Sequence, residues 1–270
     1  IDEDPEDVMS RVSTEVDLET AVEDADLVIE AAPEQMSLKK DIFGDLDEFT
    51  HEDCILASNT SGLNVTRIAE ATDRPDRVLG THWFNPPMLM ELVEVVHTEH
   101  TGAGIAELAA DFVTDLGKTP IHCRKDVPSF VVNRCMRPYG EAAAWLVYYD
   151  ESRKEAVDAA FEYDEEFPMG PFALADFTGG IQLRVDGEGD HLADDRLLAY
   201  DTRVCPLLHE LYERGRYGRK TGAGYYEYDE DYEDYEDDDN YNYDNNYNNL
   251  YSKFHCWFWL SRSRNDRNCG

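Results

Sequence analysis

The chain has 270 residues, 42% of them hydrophobic, which is enough for one large or two ordinary domains with a real core. Its 59 acidic against 24 basic residues leave a formal net charge of -35, and only seven of the basic residues are lysine, so nucleic acid and anionic membrane are excluded as expected partners. The cysteines at 54, 123, 135, 205, 256 and 269 form no CxxC and no His/Cys cluster, which argues against a zinc site or a disulfide framework, and no apolar run reaches the roughly 20 residues of a membrane span.

From about residue 26 to 125, short β-rich runs alternate with helical stretches. "DLVIEAA" predicts a buried strand, "PEQMSLKKDIFGDLDEF" a helix opened by Pro33, "CILASNTS" a strand, "NVTRIAEA" a helix and "RVLGTHWF" a strand. "ELVEVVH", "GIAELAADFVTDLG" and "TPIHCR" continue the series. Such alternation predicts an α/β, mostly parallel sheet, whose sites lie at the carboxyl ends of strands.

After "KDVPS" the pattern turns to long helical stretches, "FVVNRCMRPYGEAAAWLVYY", "SRKEAVDAAFEY" and a third from about 194 to 214, and "RYGRKTGAGYYEY" predicts a glycine-rich turn with a short aromatic strand. The expected division is a domain over 1–125, a helical domain over 126–228, and a tail over 229–270. That tail is rich in Asp, Glu, Asn and Tyr without a burying periodicity, so disorder is expected there. Its "FHCWFW" reads either as a docking segment or as an extension without selected structure.

The acid excess also runs through the folded part, as in "DADLV", "DLDEF" and "EYDEEF". A protein of a salt-adapted cytoplasm is the reading preferred over an ordinary acidic protein with an acidic tail, because molar salt shortens the Debye length to roughly 3 Å and screens self-repulsion. The melting temperature is therefore expected to rise between low and molar salt, and a flat profile would contradict the reading.

Two ionisable groups stand where burial is expensive: His82 in "GTHWF" and Glu94 in "LVEVV". Strands lying side by side would pair them as a base and the carboxylate that holds its tautomer. A histidine in an apolar run, taken alone, is more often a satisfied core residue. Asn59, Thr60 and Ser61 follow a strand, where small polar groups face ligands or simply make a turn, and Asn133 sits early in the first long helix.

"DLVIEAAPE", "ILASNTSGL", "GTHWFNPPMLMELVEVV", "GKTPIHCRKDVPSFVVNR", "FPMGPFALADFTG" and "RKTGAGYYEY" stand in the order and spacing of the 3-hydroxyacyl-CoA dehydrogenases, a family that residues from about 10 to 228 resemble. The resemblance implies a partial Rossmann-type doubly wound sheet followed by an all-helical dimerisation domain, with NAD as cofactor, an acyl-CoA as substrate and a homodimer. It makes His82 the base for the 3-hydroxyl proton and Glu94 its partner. Ser61 and Asn133 match groups that bind the substrate oxygen, and Asn85 a residue lining the nicotinamide pocket. Glu34, Lys39 and Asn59 match cofactor-side positions, and Lys220 a lysine reaching toward the cofactor.

The family opens with a strand, a GxGxxG turn and a helix, and no such segment occurs here. "TGAGIAEL" at 101–108 reads as a helix entry and "KTGAGYY" at 220–226 as the terminal turn, since neither has a third glycine after a first strand. The chain, which begins with Ile1, is thus expected to be a fragment lacking its N-terminal segment. Two rivals remain: a hydroxy-acid dehydrogenase on the same scaffold without CoA, of the gulonate dehydrogenase kind, and an inert dimerising remnant.

Overall fold

The computed structural model describes residues 4–163, 167–186, 204–228 and 258–260. The chain divides into two compact units, 1–131 together with 244–270, and 132–243.

In the first unit, two short helices, α1 (Pro5–Met9) and α2 (Leu18–Val22), precede strand β1 (Leu27–Glu30). Then follow α3 (Met36–Phe49), β2 (Ile55–Ser58), α4 (Val65–Ala69), β3 (Val78–Trp83), β4 (Leu92–His97), α5 (Ala103–Asp115) and β5 (Thr119–Cys123). The order across the sheet is β5-β4-β3-β2-β1-β6, where β6 is Phe258–Leu260. β1, β2 and β3 run parallel, as do β4 and β5, whereas β3 pairs antiparallel with β4 and β1 with β6. The sheet is therefore mixed, an α/β fold of Rossmann type.

Both faces of the sheet are covered. Val28, Leu56 and Val78 pack with Ile42, Phe43 and Leu46 of α3 and Ile68 of α4 on one side, and Leu27, Ile55, Ala57, Leu79 and Val95 pack under Ala106, Ala109 and Ala110 of α5 on the other. Two-sided burial explains why "LVI" and "ILA" are continuous apolar runs rather than alternating ones. Each fully buried side chain of Phe43 size contributes about 1.5–3 kcal/mol. Asn64 starts α4 by accepting the Arg67 N–H at 2.8 Å.

Two local expectations are corrected. α3 begins at Met36, not at Pro33: Gln35 is extended, and residues 31–35 form a loop whose Glu34 carboxylate accepts the Ser61 N–H instead of capping a helix. In the second unit, residues 216–228 make a 3-10 turn (Arg219–Thr221) and isolated bridges, not an aromatic strand. The amides of Tyr225 and Tyr226 donate to the Asp176 carboxylate at 2.8 and 2.9 Å, so they serve no strand partner. Of the tail expected to be disordered, Phe258–Leu260 is a strand. Its other residues, and 194–203 of the third long helix, lie outside the described ones.

The second unit contains α6 (Val132–Tyr148), α7 (Lys154–Tyr163), α8 (Pro171–Thr178), α9 (Gly180–Asp186) and α10 (Pro206–Glu213). Phe172, Ile181, Val204, Leu208, Leu211 and Tyr225 form its core with Ala143 and Ala144 of α6. Buried Asp158 accepts the N–H groups of Phe172 and Ala173, which opens α8 by supplying the acceptor that Gly170 lacks.

Back in the first unit, His97 Nε2 and His122 Nδ1 lie 2.8 Å apart across β4 and β5. Burial, then the His122 charge, lower the His97 pKa from 6.5; Glu107 opposes them, and Arg124 adds the smallest lowering. A lowered folded pKa means that this contribution to stability is complete above the unfolded value and is lost as pH falls below about 6.5. The parent protein is therefore expected to lose more melting temperature than His122→Gln on acidification from about pH 7.5 to about pH 5.5. Equal losses would contradict the coupling.

No helix among the described residues is long and apolar enough to cross a membrane, and none of their His, Cys, Asp and Glu groups is clustered to hold a metal ion.

Candidate active site

The register of β3 and β4 sets His82 directly opposite Glu94. Cross-strand neighbours on one face are close enough for their side chains to meet. His82 Nδ1 lies 2.6 Å from Glu94 Oε2, with His82 5% exposed and Glu94 fully buried. The second carboxylate oxygen, Oε1, accepts the Val131 N–H at 2.9 Å. That amide is delivered by a constrained loop: Ser129 and Phe130 both adopt positive φ, 62° and 48°, a conformation costing roughly 1–3 kcal/mol per non-glycine residue. Packing holds the loop, since Phe130 is buried with Val65, Val96 and Cys123 and its ring centroid lies 5.6 Å from that of His82. Phe84 flanks the imidazole at 4.6 Å. With Nδ1 engaged by the carboxylate, Nε2 is the nitrogen left to meet a proton outside the pair.

A second polar cluster lies at the carboxyl ends of β1 and β2. Glu30 closes β1 and is fully buried; its carboxylate accepts from Lys39 Nζ at 2.7 Å, from the Ser58 hydroxyl at 2.7 Å and from the Ala32 N–H at 2.5 Å. Lys39 is 1% exposed and also donates to the Ala32 carbonyl at 2.8 Å, with Glu34 Oε2 3.6 Å away. Glu34 Oε1 in turn accepts the Thr60 hydroxyl and, at 3.0 Å, the Ser61 N–H. Asn59 links this cluster to β3: its N–H donates to the Glu30 carbonyl at 2.7 Å and its Oδ1 accepts the Trp83 N–H at 3.0 Å.

Glu34, Lys39, Asn59 and Ser61 are thus brought together, and Asn59 ties them to the strand bearing His82. Ser61 is exposed, its hydroxyl open to a ligand. Asn85 is exposed in the loop after β3, joined to Pro86 by a cis peptide. Asn133 is the second residue of α6, and Lys220 is exposed in the 3-10 turn; both belong to the second unit. Sequence reasoning missed Glu30, which ends its apolar strand run, whereas Glu94 stood out inside one, between Val93 and Val95. It also missed the 129–131 loop, whose left-handed residues carry no glycine to betray them.

A half-exposed carboxylate, an open hydroxyl and an amide side chain stand at the carboxyl ends of parallel strands, groups that suit a dinucleotide's ribose and carboxamide, with the buried Lys39 ammonium behind the carboxylate. Comparison with known proteins agrees. Residues 1–127 match the family model described as 3-hydroxyacyl-CoA dehydrogenase, NAD binding domain, and residues 130–228 the one described as its C-terminal domain. The chain is 40% identical over 227 residues to the mitochondrial hydroxyacyl-coenzyme A dehydrogenase of Sus scrofa, covering 84% of this chain and 71% of that protein. It is 41% identical over 209 residues to a 3-hydroxybutyryl-CoA dehydrogenase of Bradyrhizobium diazoefficiens, covering 76% and 69%. Among solved structures, the (S)-3-hydroxybutyryl-CoA dehydrogenase of Ralstonia eutropha shares 34% identity with a TM-score of 0.71, over 78% of this chain and 73% of that one. With both domain models matched in order and relatives at this identity over most of their length, the chain belongs to the 3-hydroxyacyl-CoA dehydrogenase family.

Proposed function

We propose that this chain carries the machinery for oxidising an (S)-3-hydroxyacyl-CoA to the 3-oxoacyl-CoA, with NAD as the electron acceptor, in fatty-acid β-oxidation or butyryl-CoA metabolism. The observation that carries the reading is the buried His82–Glu94 pair beside a polar cluster suited to the cofactor. In this reading His82 Nε2 removes the proton from the 3-hydroxyl, while Glu94 holds the ring by Nδ1 and stabilises the imidazolium that results. NAD, when bound, would supply the acceptor for the hydride that leaves C3 as the C=O bond forms. Phe84 and Phe130 keep water from the imidazole, and the Val131 N–H keeps the carboxylate aimed. Ser61 and Asn133 are assigned to the substrate oxygen, Glu34, Lys39, Asn59, Asn85 and Lys220 to the cofactor.

The helical unit is proposed to form a homodimer, a reading supported by the exposed Leu146 and Tyr148 on α6 and Tyr149 just after it; sedimentation as a monomer would contradict it. The acid-rich composition supports a cytoplasmic setting of high salt.

The test is a substrate panel on the chain preceded by the strand, GxGxxG turn and helix with which the family opens. Formation of NADH from (S)-3-hydroxybutyryl-CoA, with far slower turnover of free 3-hydroxybutyrate and gulonate, is expected. Preference for the free acids would favour the CoA-independent rival, and no turnover of either would favour the inert remnant.

A further inference from the structure

The buried Glu30 has no place in the chemistry at His82, yet it organises the first links of the polar cluster. An ion pair sealed from water is a poor source of stability compared with apolar packing, so its retention asks for another reason. Here the carboxylate is saturated: it takes the Lys39 ammonium, the Ser58 hydroxyl and the Ala32 amide, while the Glu30 carbonyl takes the Asn59 N–H. Lys39 is held by two acceptors, Glu30 and the Ala32 carbonyl, and both lie at the end of β1. So anchored, its ammonium stands 3.6 Å from Glu34 Oε2, on a side chain that is 45% exposed and would otherwise be free to swing. The other oxygen of Glu34 then fixes the Thr60 hydroxyl and the Ser61 amide.

We propose that Glu30 is a positioning residue for the cofactor pocket: its buried carboxylate fixes Lys39, Lys39 draws Glu34 into place, and Glu34 sets the Thr60–Ser61 turn. The inference rests on the functional reading above for the identity of the ligand, and on the geometry alone for the positioning. Glu30 acts through Lys39 and Glu34, and touches neither substrate nor cofactor. Gln at position 30 keeps the shape and an acceptor but removes the charge that confines the ammonium, so Lys39 and Glu34 should both lose their fixed places.

The experiment compares Glu30→Gln with the parent in two ways. In residues 1–270, hydrogen exchange of the Ser61 amide should quicken about tenfold in the variant, while the Leu56 and Ala57 amides inside β2 keep their parental rates. In the chain carrying the preceding segment, the KM for NAD should rise roughly tenfold with kcat altered by less than about threefold, because the misplaced groups bind the cofactor without taking part in proton transfer. Should Glu30→Gln fail to fold, Glu30→Leu combined with Lys39→Met removes both buried charges and is expected to fold. It should show the same quickened Ser61 exchange, because the link to Glu34 is gone.

Parental exchange at Ser61 in a folded variant would overturn the proposal. So would equal quickening at Leu56, Ala57 and Ser61, which would make Glu30 a simple strand tie, and so would faster Ser61 exchange with an unchanged KM for NAD. A parent without dehydrogenase activity would contradict the functional reading instead, and the exchange comparison would still decide whether Glu30 sets the turn.

Discussion

His82→Gln is expected to lower kcat by about 10²- to 10⁴-fold when the chain is joined to a family strand, GxGxxG turn and helix, the range typical for loss of a general base. Glutamine keeps hydrogen-bonding capacity beside Glu94 but cannot take a proton from a hydroxyl at neutral pH. NAD affinity should be little changed, because the cofactor cluster at Glu34, Lys39 and Ser61 is held by its own partners, Glu30 and the Ser61 amide among them. The KM for the hydroxyacyl-CoA should move far less than kcat, since the base is asked to act in the transition state and not in ground-state binding. Circular dichroism must show the variant folded, because removing one member of a buried charged pair can itself destabilise. A folded His82→Gln protein that turns over at the parental rate would make His82 a core residue.

Gly218→Ala should have the largest effect on stability. Gly218 has φ 130°, and a methyl group there would stand 2.2 Å from the Asp176 carbonyl oxygen, a backbone atom of α8 that cannot swing aside. The same aspartate accepts the Tyr225 and Tyr226 amides and, at 3.0 Å, the Tyr228 hydroxyl, so the whole 218–228 turn is wrapped around one side chain. Backbone strain of about 1–3 kcal/mol and overpacking of about 1–3 kcal/mol together suggest a loss of about 3 kcal/mol. That corresponds to roughly 6–12 °C in melting temperature for a protein of this size. Gly117→Ala is the control: φ is positive there too, at 75°, but the added carbon meets nothing within 4 Å, so only a conformational cost of about 1 kcal/mol is expected. Equal melting temperatures for the two variants would show that the close approach to Asp176 is not what demands the glycine.

Much of the first unit was legible because two-sided burial leaves a signature in the chain. Runs such as "LVIE" and "ILAS", bounded by polar turns, became β1 and β2, and the single charges at His82 and Glu94 proved to be opposite each other in β3 and β4. That pairing could be suspected from two adjacent strands, but their antiparallel register is a tertiary fact. Glu30 escaped notice because a carboxylate at the end of a strand reads as a solvated terminus until its partner, nine residues on, is seen turning back from α3. α8 and α9 were hidden by brevity and by the glycines of "FTGG", which interrupt any helical period. "GYYEY" looked like a strand by its aromatic content, yet its amides answer to Asp176, a residue some fifty positions earlier that no local pattern reveals. The pairing of Phe258–Leu260 with β1 was equally invisible, because low-complexity surroundings carry no register information.

The central claim is that His82 and Glu94 act as one proton-abstracting unit, and a double-mutant cycle on kcat tests it most directly. His82→Gln, Glu94→Gln and the double variant are measured with (S)-3-hydroxybutyryl-CoA and NAD in the chain that carries the preceding segment. If Glu94 works only by orienting and charging the imidazole, its loss costs nothing further once His82 is gone, and the double variant should be about as slow as His82→Gln alone. Losses that multiply, with the double variant slower by the product of the two single effects, would contradict the account, because the two residues would then be acting independently.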